Sequence, residues 1–130
     1  AVALYREIIA LADIVKFSED EVETFGKEYV NGLREKLVCI TLGKEGCMWR
    51  YRGEERRLAT IDIKPVDTTG AGDAFYAGVL SRLDETQPQA WTADVLSHAL
   101  NYGNVCGALN TLGHGAIDHL PTREEIARWL

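Results

Sequence analysis

Hydrophobic positions along the chain alternate between helical spacing and short, continuous apolar runs. Residues 4–11 carry apolar side chains at helical spacing, and residues 12–15 predict a short buried strand. A second run, residues 37–42, is apolar throughout and ends at Gly43, which is typical of an interior parallel strand buried on both faces. The stretch 47–63 has a polar turn between two strand-like segments, 47–51 and 57–63, and therefore predicts a β-hairpin.

Helix signals fill the segments between and after these strands. Ser18 followed by Glu21 fits a capping box, in which each side chain bonds the other residue's backbone amide, and so opens a helix. Further helices are predicted for residues 74–80 and 91–111, and a capping box at residues 122–125 opens a short final one that continues to the last residues of the chain. Alternating helices and buried strands predict an α/β layered fold with a mainly parallel sheet, which binds ligands where loops leave the carboxyl ends of its strands.

Composition narrows the class of protein. The 130 residues carry a net charge of −6, which disfavours a broad electrostatic hold on nucleic acid or an anionic membrane. No apolar run approaches the roughly 20 residues that span a bilayer. The three cysteines, Cys39, Cys47 and Cys106, lack C-x-x-C spacing and are predicted to be buried, reduced thiols of a cytoplasmic protein. The chain has no initial methionine and starts partway through a predicted helix, as a truncated or cleaved chain does.

The segment from Gly70 to Asp73 carries the strongest chemical signal. Two glycines bracket Ala71 directly before a predicted helix, so successive backbone amides point outward unobstructed at a helix end with positive partial charge. Such an anion hole suits a phosphoryl group in transfer, and Asp73 beside it is placed to accept a proton from an attacking hydroxyl. A tight turn would explain G-x-G-D alone, but the nine-residue string is more restrictive. It is not a Walker loop, and Phe75 stands where a dinucleotide fingerprint needs glycine, which disfavours a dinucleotide-dependent oxidoreductase.

The string D-T-T-G-A-G-D-A-F resembles the second signature of the pfkB-type carbohydrate kinases, the family of ribokinase, fructokinase and adenosine kinase. The resemblance implies a ribokinase-like three-layer α/β/α fold. It also implies that Asp73 is the catalytic base and that the backbone of Gly70, Ala71 and Gly72 is the anion hole. Family members are typically much longer, so residues 1–130 are expected to be the C-terminal nucleotide-binding and catalytic portion, without the N-terminal sugar-binding portion and lid.

Two further motifs fall in the order that the resemblance requires. Ser18-x-x-Glu21 is similar to the family's N-x-x-E motif, with serine in place of asparagine. This implies that Glu21 organises magnesium through water and that Ser18 contacts the nucleotide, although both residues equally form a capping box. The segment 41–46 resembles the family's T-L-G-x-x-G loop, which implies that Thr41, Gly43 and Gly46 lie against ATP.

The C-terminal third completes the resemblance. Asn104 matches the family's adenine-side asparagine, and the small residues Gly107 and Ala108 leave room either for a flat ring or for close helix packing. Asp67 and Thr69 match one side of a monovalent cation site that many members use for potassium. Backbone groups around Asn110, Gly113 and Gly115 match the other side.

The leading hypothesis is an ATP- and magnesium-dependent kinase that phosphorylates a hydroxymethyl group of a small sugar. Fructose is favoured because the segments around the Ser18 and Asn104 motifs most resemble fructokinases, while ketodeoxygluconate, ribose and inositol-derived acids stay open. The alternative is an inactive or partial nucleotide-binding fragment that lacks the substrate half. Alone, the chain is expected to be inactive and prone to associate through an uncovered sheet edge, whereas the full-length protein could form a homodimer.

Overall fold

The computed structural model describes residues 1–130 as a four-stranded sheet with helices on both faces. The elements in chain order are α1 (Val2–Leu11), β1 (Ile14–Ser18), α2 (Glu19–Phe25), α3 (Lys27–Asn31), β2 (Leu37–Thr41), β3 (Cys47–Tyr51), β4 (Glu54–Leu58), α4 (Ala71–Leu83), α5 (Ala93–Asn110) and α6 (Arg123–Ala127). Two short 3₁₀ turns lie at Gly43–Glu45 and Pro88–Ala90.

The strands lie side by side in chain order, β1-β2-β3-β4. β1 and β2 pair in parallel, and the β3–β4 hairpin adds two antiparallel pairings, so the sheet within this chain is mixed. The first four residues of β2 are buried, which confirms the prediction of an interior strand covered on both faces. The predicted α/β class is therefore confirmed.

The apolar side chains of β1, β2 and β3 point alternately to two separate cores, because the side-chain period of a strand is two. On one face α4 and α5 pack against a core that includes Leu37, Cys39 and Trp49. On the other face α1 and α3 pack against a core that includes Val15 and Phe17. The result is a three-layer α/β/α arrangement with the carboxyl ends of β1 and β2 at one edge.

Element boundaries differ from the sequence prediction where backbone geometry overrides the apolar pattern. β1 begins at Ile14 and continues to Ser18. The helix after Ser18 is broken at Gly26, whose φ of 96° is outside the helical region, so α2 and α3 are separate. The two-residue turn at Arg52 and Gly53 pairs Tyr51 with Glu54, which starts β4 earlier than predicted and ends it earlier too.

All three cysteines are buried and free, as predicted. Burial raises the pKa of the Cys47 thiol to about 12 and that of the Cys106 thiol to about 11. The final helix, α6, ends at Ala127 rather than continuing to the last residues. None of the helices combines the length and apolar character that a membrane span requires.

Candidate active site

A cleft of about 700 Å³ opens beside the carboxyl end of β2 and the N-terminus of α4. Ser18 and Thr41, the last residues of β1 and β2, are paired in register at this edge. Four segments line the cleft: the end of β2 with the turn that follows it, residues 60–63 and Pro65 after β4, the start of α4 with the loop before it, and one face of α5 with Thr111. A smaller cavity of about 330 Å³ lies at the β3–β4 turn and contains none of the predicted site residues.

The first turn of α4 presents unpaired backbone amides. Gly70 caps the helix in the left-handed conformation, with a φ of 76° and no side-chain cap. The Ala71 amide donates to the Thr68 carbonyl at 3.1 Å, so it is already engaged. The amides of Gly70, Gly72 and Asp73 have no acceptor within the chain. Of the three residues predicted to form an anion hole, Gly70 and Gly72 thus have free amides and Ala71 does not, while the adjacent Asp73 amide is also free.

The Asp73 carboxylate stands in the same helical turn. It is exposed and makes no hydrogen bond or ion pair within the chain, whereas the next two residues, Ala74 and Phe75, are buried and anchor the turn. A carboxylate without a partner retains all its lone pairs for an incoming hydroxyl. Its position beside Gly72, which lines the cleft, is compatible with the predicted role of base.

Asp67 ties the loop before α4 to the loop after α5. One carboxylate oxygen accepts bonds from the Thr69 amide at 2.9 Å and hydroxyl at 2.6 Å, and the other accepts from the Gly115 amide at 3.0 Å. The bond from the Thr69 hydroxyl, followed by the two amide bonds, lowers the pKa of Asp67 to about 2. Asp67 is thus ionised at neutral pH and fixes the path of the chain into the helix.

Asn110 provides a buried oxygen next to this loop. The residue is fully buried, and its amide nitrogen donates to the Thr69 carbonyl at 3.4 Å. Its Oδ1 atom has no hydrogen-bond partner. Buried oxygens normally accept a hydrogen bond, so an oxygen without one calls for another, positively charged partner. Together with the ionised Asp67 carboxylate, this oxygen fits a cation site. Gly113, in contrast, leaves room for the His119 ring, which would lie 2.1 Å from a Cβ at that position.

Ser18 and Glu21 form the predicted capping box. The Ser18 amide donates to Glu21 Oε2 at 2.6 Å, and the Glu21 amide donates to Ser18 Oγ at 3.1 Å. Glu21 is half exposed, and its other oxygen accepts no hydrogen bond. The capping interpretation is therefore confirmed, and one carboxylate oxygen is left for a water-mediated metal contact.

The motifs did not single out Lys16, which lies close to the first turn of α4. Its Nζ atom lies 3.9 Å from Glu21 Oε2 and would lie 3.2 Å from a Cβ placed on Gly72. A signal existed in the sequence, because the neighbours Val15 and Phe17 face one core and the intervening residue must point to the opposite face, toward α4.

The turn after β2 contains two glycines in different surroundings. Thr41 lines the cleft, and its hydroxyl donates to the Phe17 carbonyl at 3.5 Å. Gly43 has a φ of 59° and open space where a Cβ would be. Gly46 has a φ of 97°, and a Cβ there would lie 2.0 Å from the Leu58 carbonyl oxygen. Both line the cleft, but Gly46 is also required by the close approach of two backbones.

Asn104 lines the cleft yet is only 5% exposed. Its amide nitrogen donates to the carbonyls of Leu58 and Ala59 at 3.5 and 3.4 Å, so it fixes the end of β4 against α5. Any contact with a nucleotide would have to use the small part of the side chain that is open.

The two small residues of α5 have different surroundings. A Cβ on Gly107 would lie 2.9 Å from the Ala71 carbonyl oxygen, so the close packing of α5 against α4 requires glycine at this position. Ala108 is partly exposed at the cleft. Gly107 therefore supports the alternative of close helix packing, and Ala108 supports the alternative of room for a flat ring.

Comparison with known families decides the relationship. The model of the pfkB family carbohydrate kinases matches residues 1–123. The chain belongs to the pfkB family of carbohydrate kinases. The curated fructokinase of Vibrio alginolyticus is 36% identical to this pfkB-family chain, and the matched region covers 98% of this chain.

Solved structures agree with this membership. The Vibrio cholerae fructokinase, determined with fructose, ADP and calcium ion, matches 99% of the pfkB chain at 32% identity with a TM-score of 0.91. The aminoimidazole riboside kinase of Salmonella enterica, determined with aminoimidazole riboside and an ATP analog, matches 98% at 29% identity with a TM-score of 0.87. The ribokinase-like fold is thereby confirmed. The chain spans 44% of the length of either fructokinase and 45% of the riboside kinase.

Proposed function

We propose that this chain forms the nucleotide-binding and phosphoryl-transfer portion of a sugar kinase, which moves the γ-phosphoryl group of ATP to a hydroxymethyl group of a small sugar. One observation carries the proposal: the free amides and the unpaired Asp73 carboxylate share the first turn of α4, next to a cleft large enough for a nucleotide. Together they provide an anion site and a proton acceptor within one helical turn.

The reaction uses these groups in a single displacement. The sugar hydroxyl oxygen forms a bond to the γ-phosphorus, the bond from that phosphorus to the bridging oxygen of ADP breaks, and the hydroxyl proton passes to Asp73. The amides of Gly72 and Asp73 bind the equatorial phosphoryl oxygens, where charge accumulates during transfer. ADP and the sugar phosphate are the products.

Cations would neutralise the remaining phosphate charge. Magnesium bound to ATP offsets the negative charge of the nucleotide phosphates, and Glu21 would hold it through water with its unpaired oxygen. Asp67, the Thr69 carbonyl and Asn110 Oδ1 would hold a potassium ion behind the anion site, and the buried, unpartnered Oδ1 atom supports this assignment. Thr41, Gly43 and the exposed part of α5 would contact the nucleoside.

Fructose is the favoured acceptor. The support is that the curated relatives at 33–38% identity are named fructokinases or probable fructokinases, and that the Vibrio cholerae neighbour was determined with fructose. The riboside kinase neighbour indicates that the same framework also serves a pentose-containing acceptor. A panel of both kinds of sugar is therefore the right assay.

The test measures ADP release by the full gene product with ATP, magnesium and a panel of fructose, ribose, ketodeoxygluconate and adenosine. Asp73→Asn should lower kcat by about 10²- to 10⁴-fold, the usual range for loss of a general base, with ADP affinity kept within about threefold. Asp84→Asn, at the opposite end of α4 and also exposed, should change neither value and is the matched control.

Two results would contradict parts of the proposal. ADP release unchanged by Asp73→Asn would remove that residue from its role. Nucleotide binding without turnover on any sugar would favour the alternative of an inactive nucleotide-binding protein.

A further inference from the structure

Lys16 occupies an unusual position for a charged residue. It lies in the middle of β1, where its neighbours Val15 and Phe17 are buried in the core under α1 and α3. Alternation turns Lys16 to the other face, beneath the first turn of α4. Its side chain is only 16% exposed, although lysine is rarely buried without a close partner.

The surroundings of its ammonium group contain little compensating charge. The nearest carboxylate oxygen, Glu21 Oε2, is 3.9 Å away and already accepts the Ser18 amide at 2.6 Å. Lys16 Nζ donates no hydrogen bond within the chain. The other group that it faces is Gly72, at the N-terminus of a 13-residue helix, which carries positive partial charge and free amides. A cation beside the positive end of a helix is unfavourable unless an anion binds between them.

We propose that Lys16 is a catalytic residue that contacts the phosphoryl group bound at the first turn of α4. This inference rests on the function proposed above and adds to it a side-chain cation that faces the same phosphoryl oxygens as the Gly72 amide. Gly72 is a glycine for the same reason, since a Cβ would sit 3.2 Å from Nζ and crowd the ammonium group. The weak pair with Glu21 holds Lys16 in place until the phosphoryl group arrives.

The test compares ADP alone with ADP plus aluminium fluoride, which mimics a phosphoryl group in transfer. Both affinities are measured by calorimetry on the full gene product in magnesium and fructose. Wild-type protein should bind ADP more tightly when the fluoride is present. Lys16→Met should keep the affinity for ADP within about threefold but lose at least tenfold of the gain from aluminium fluoride, and kcat should fall about 10²-fold, as for loss of one donor to a transition state.

Two further variants separate a phosphoryl contact from a structural role. Lys16→Arg keeps the charge and should recover most of the aluminium fluoride gain. Lys27→Met, on an exposed lysine of α3 that is paired only with Glu23, is the matched control and should behave as wild type. The melting temperature of ligand-free Lys16→Met should be unchanged or higher, because the substitution removes a poorly compensated buried charge.

The possible outcomes are distinct. An aluminium fluoride gain in Lys16→Met equal to that of wild type would overturn the inference, and so would a drop of more than about 5 °C in its melting temperature, which would assign the lysine to the fold. If Lys16→Met gives either of these results while Asp73→Asn still abolishes turnover, only the Lys16 inference has failed. If Asp73→Asn has no effect, the proposed function has failed first.

Discussion

The two glycine-containing turns of the cleft look alike in sequence but are built differently. In the first turn, residues 41–46, Gly46 lies against the Leu58 carbonyl and Gly43 faces open space. In the second turn, residues 67–72, a Cβ on Gly70 would lie 2.7 Å from the Ala116 Cβ, whereas a Cβ on Gly72 would meet only the Lys16 ammonium group. Each turn therefore has one glycine that the fold requires and one whose missing side chain leaves room at the cleft.

The turns also differ in what holds them. Backbone bonds alone close the first, from the Leu42 amide to the Gly46 carbonyl at 2.9 Å and from the Gly46 amide to the Gly43 carbonyl at 3.1 Å. The second is held by the ionised carboxylate of Asp67. Glycines within one motif are therefore not equivalent, and the requirements of the fold and of ligand contact can be assigned to different positions.

Among single substitutions in the two turns, replacement of Gly46 should destabilise the protein most. Gly46→Ala should lower the free energy of unfolding by about 4 kcal/mol, combining left-handed strain of about 1–2 kcal/mol with overpacking of about 1–3 kcal/mol against backbone. Gly43→Ala, its matched control, should cost only the strain of about 1–2 kcal/mol because nothing occupies the space. Urea unfolding of the full gene product measures both.

Equal losses in the two variants would show that the turn moves away from Leu58 at little cost, and that the contrast between the glycines is absent in solution. A Gly43→Ala variant that is destabilised only by the left-handed strain yet weakens ADP binding would support the assignment of this glycine to the nucleotide side of the cleft.

Local features of the site could be predicted from the sequence because their partners are close along the chain. The capping boxes at Ser18 and Thr122 join residues three positions apart, and both are present as predicted. The start of α4 at Gly70 could be predicted because two glycines come directly before an apolar, helix-forming segment. The buried strand β2 followed from an uninterrupted apolar run that only a strand covered on both faces explains.

Contacts between distant segments could not be predicted in the same way. Lys16 and Gly72 meet only because β1 and α4 pack face to face, and no local pattern gives that distance. The hydrogen bonding of the first turn of α4 is local in comparison: the Ala71 amide bonds to Thr68, three residues earlier, and the Asp73 amide is free because the first amides of a helix lack an intrahelical acceptor.

A smaller effect is expected at the second turn. Gly72→Ala should leave the free energy of unfolding unchanged or raise it by up to about 1 kcal/mol, because its φ is not left-handed and its only neighbour is the end of a flexible side chain. The affinity for ADP with aluminium fluoride should nevertheless fall about tenfold, which corresponds to about 1.4 kcal/mol. Calorimetry and urea unfolding measure the two quantities.

A double variant sharpens this result. If Gly72→Ala acts by displacing the ammonium group, it should have no further effect on the aluminium fluoride complex in a Lys16→Met background. Additive losses would instead mean that the methyl group obstructs the phosphoryl site directly.

The smallest effect concerns the carboxylate that holds the second turn. Because the pKa of folded Asp67 is about 2, below its ordinary 3.8, the ionised form stabilises the fold above about pH 4, and this stabilisation is lost as the pH falls toward 2. Asp67→Asn should therefore melt a few degrees below wild type at pH 7, and the difference should shrink between pH 4 and pH 2.5. Circular dichroism melts across this range measure it, with Asp84→Asn as the control that shows no such convergence.

The first turn contains no carboxylate among its hydrogen-bond partners, so Gly43→Ala should keep a constant difference from wild type over the same range. A pH-independent gap for Asp67→Asn would mean that the hydrogen bonds to this side chain, rather than its charge, secure the turn.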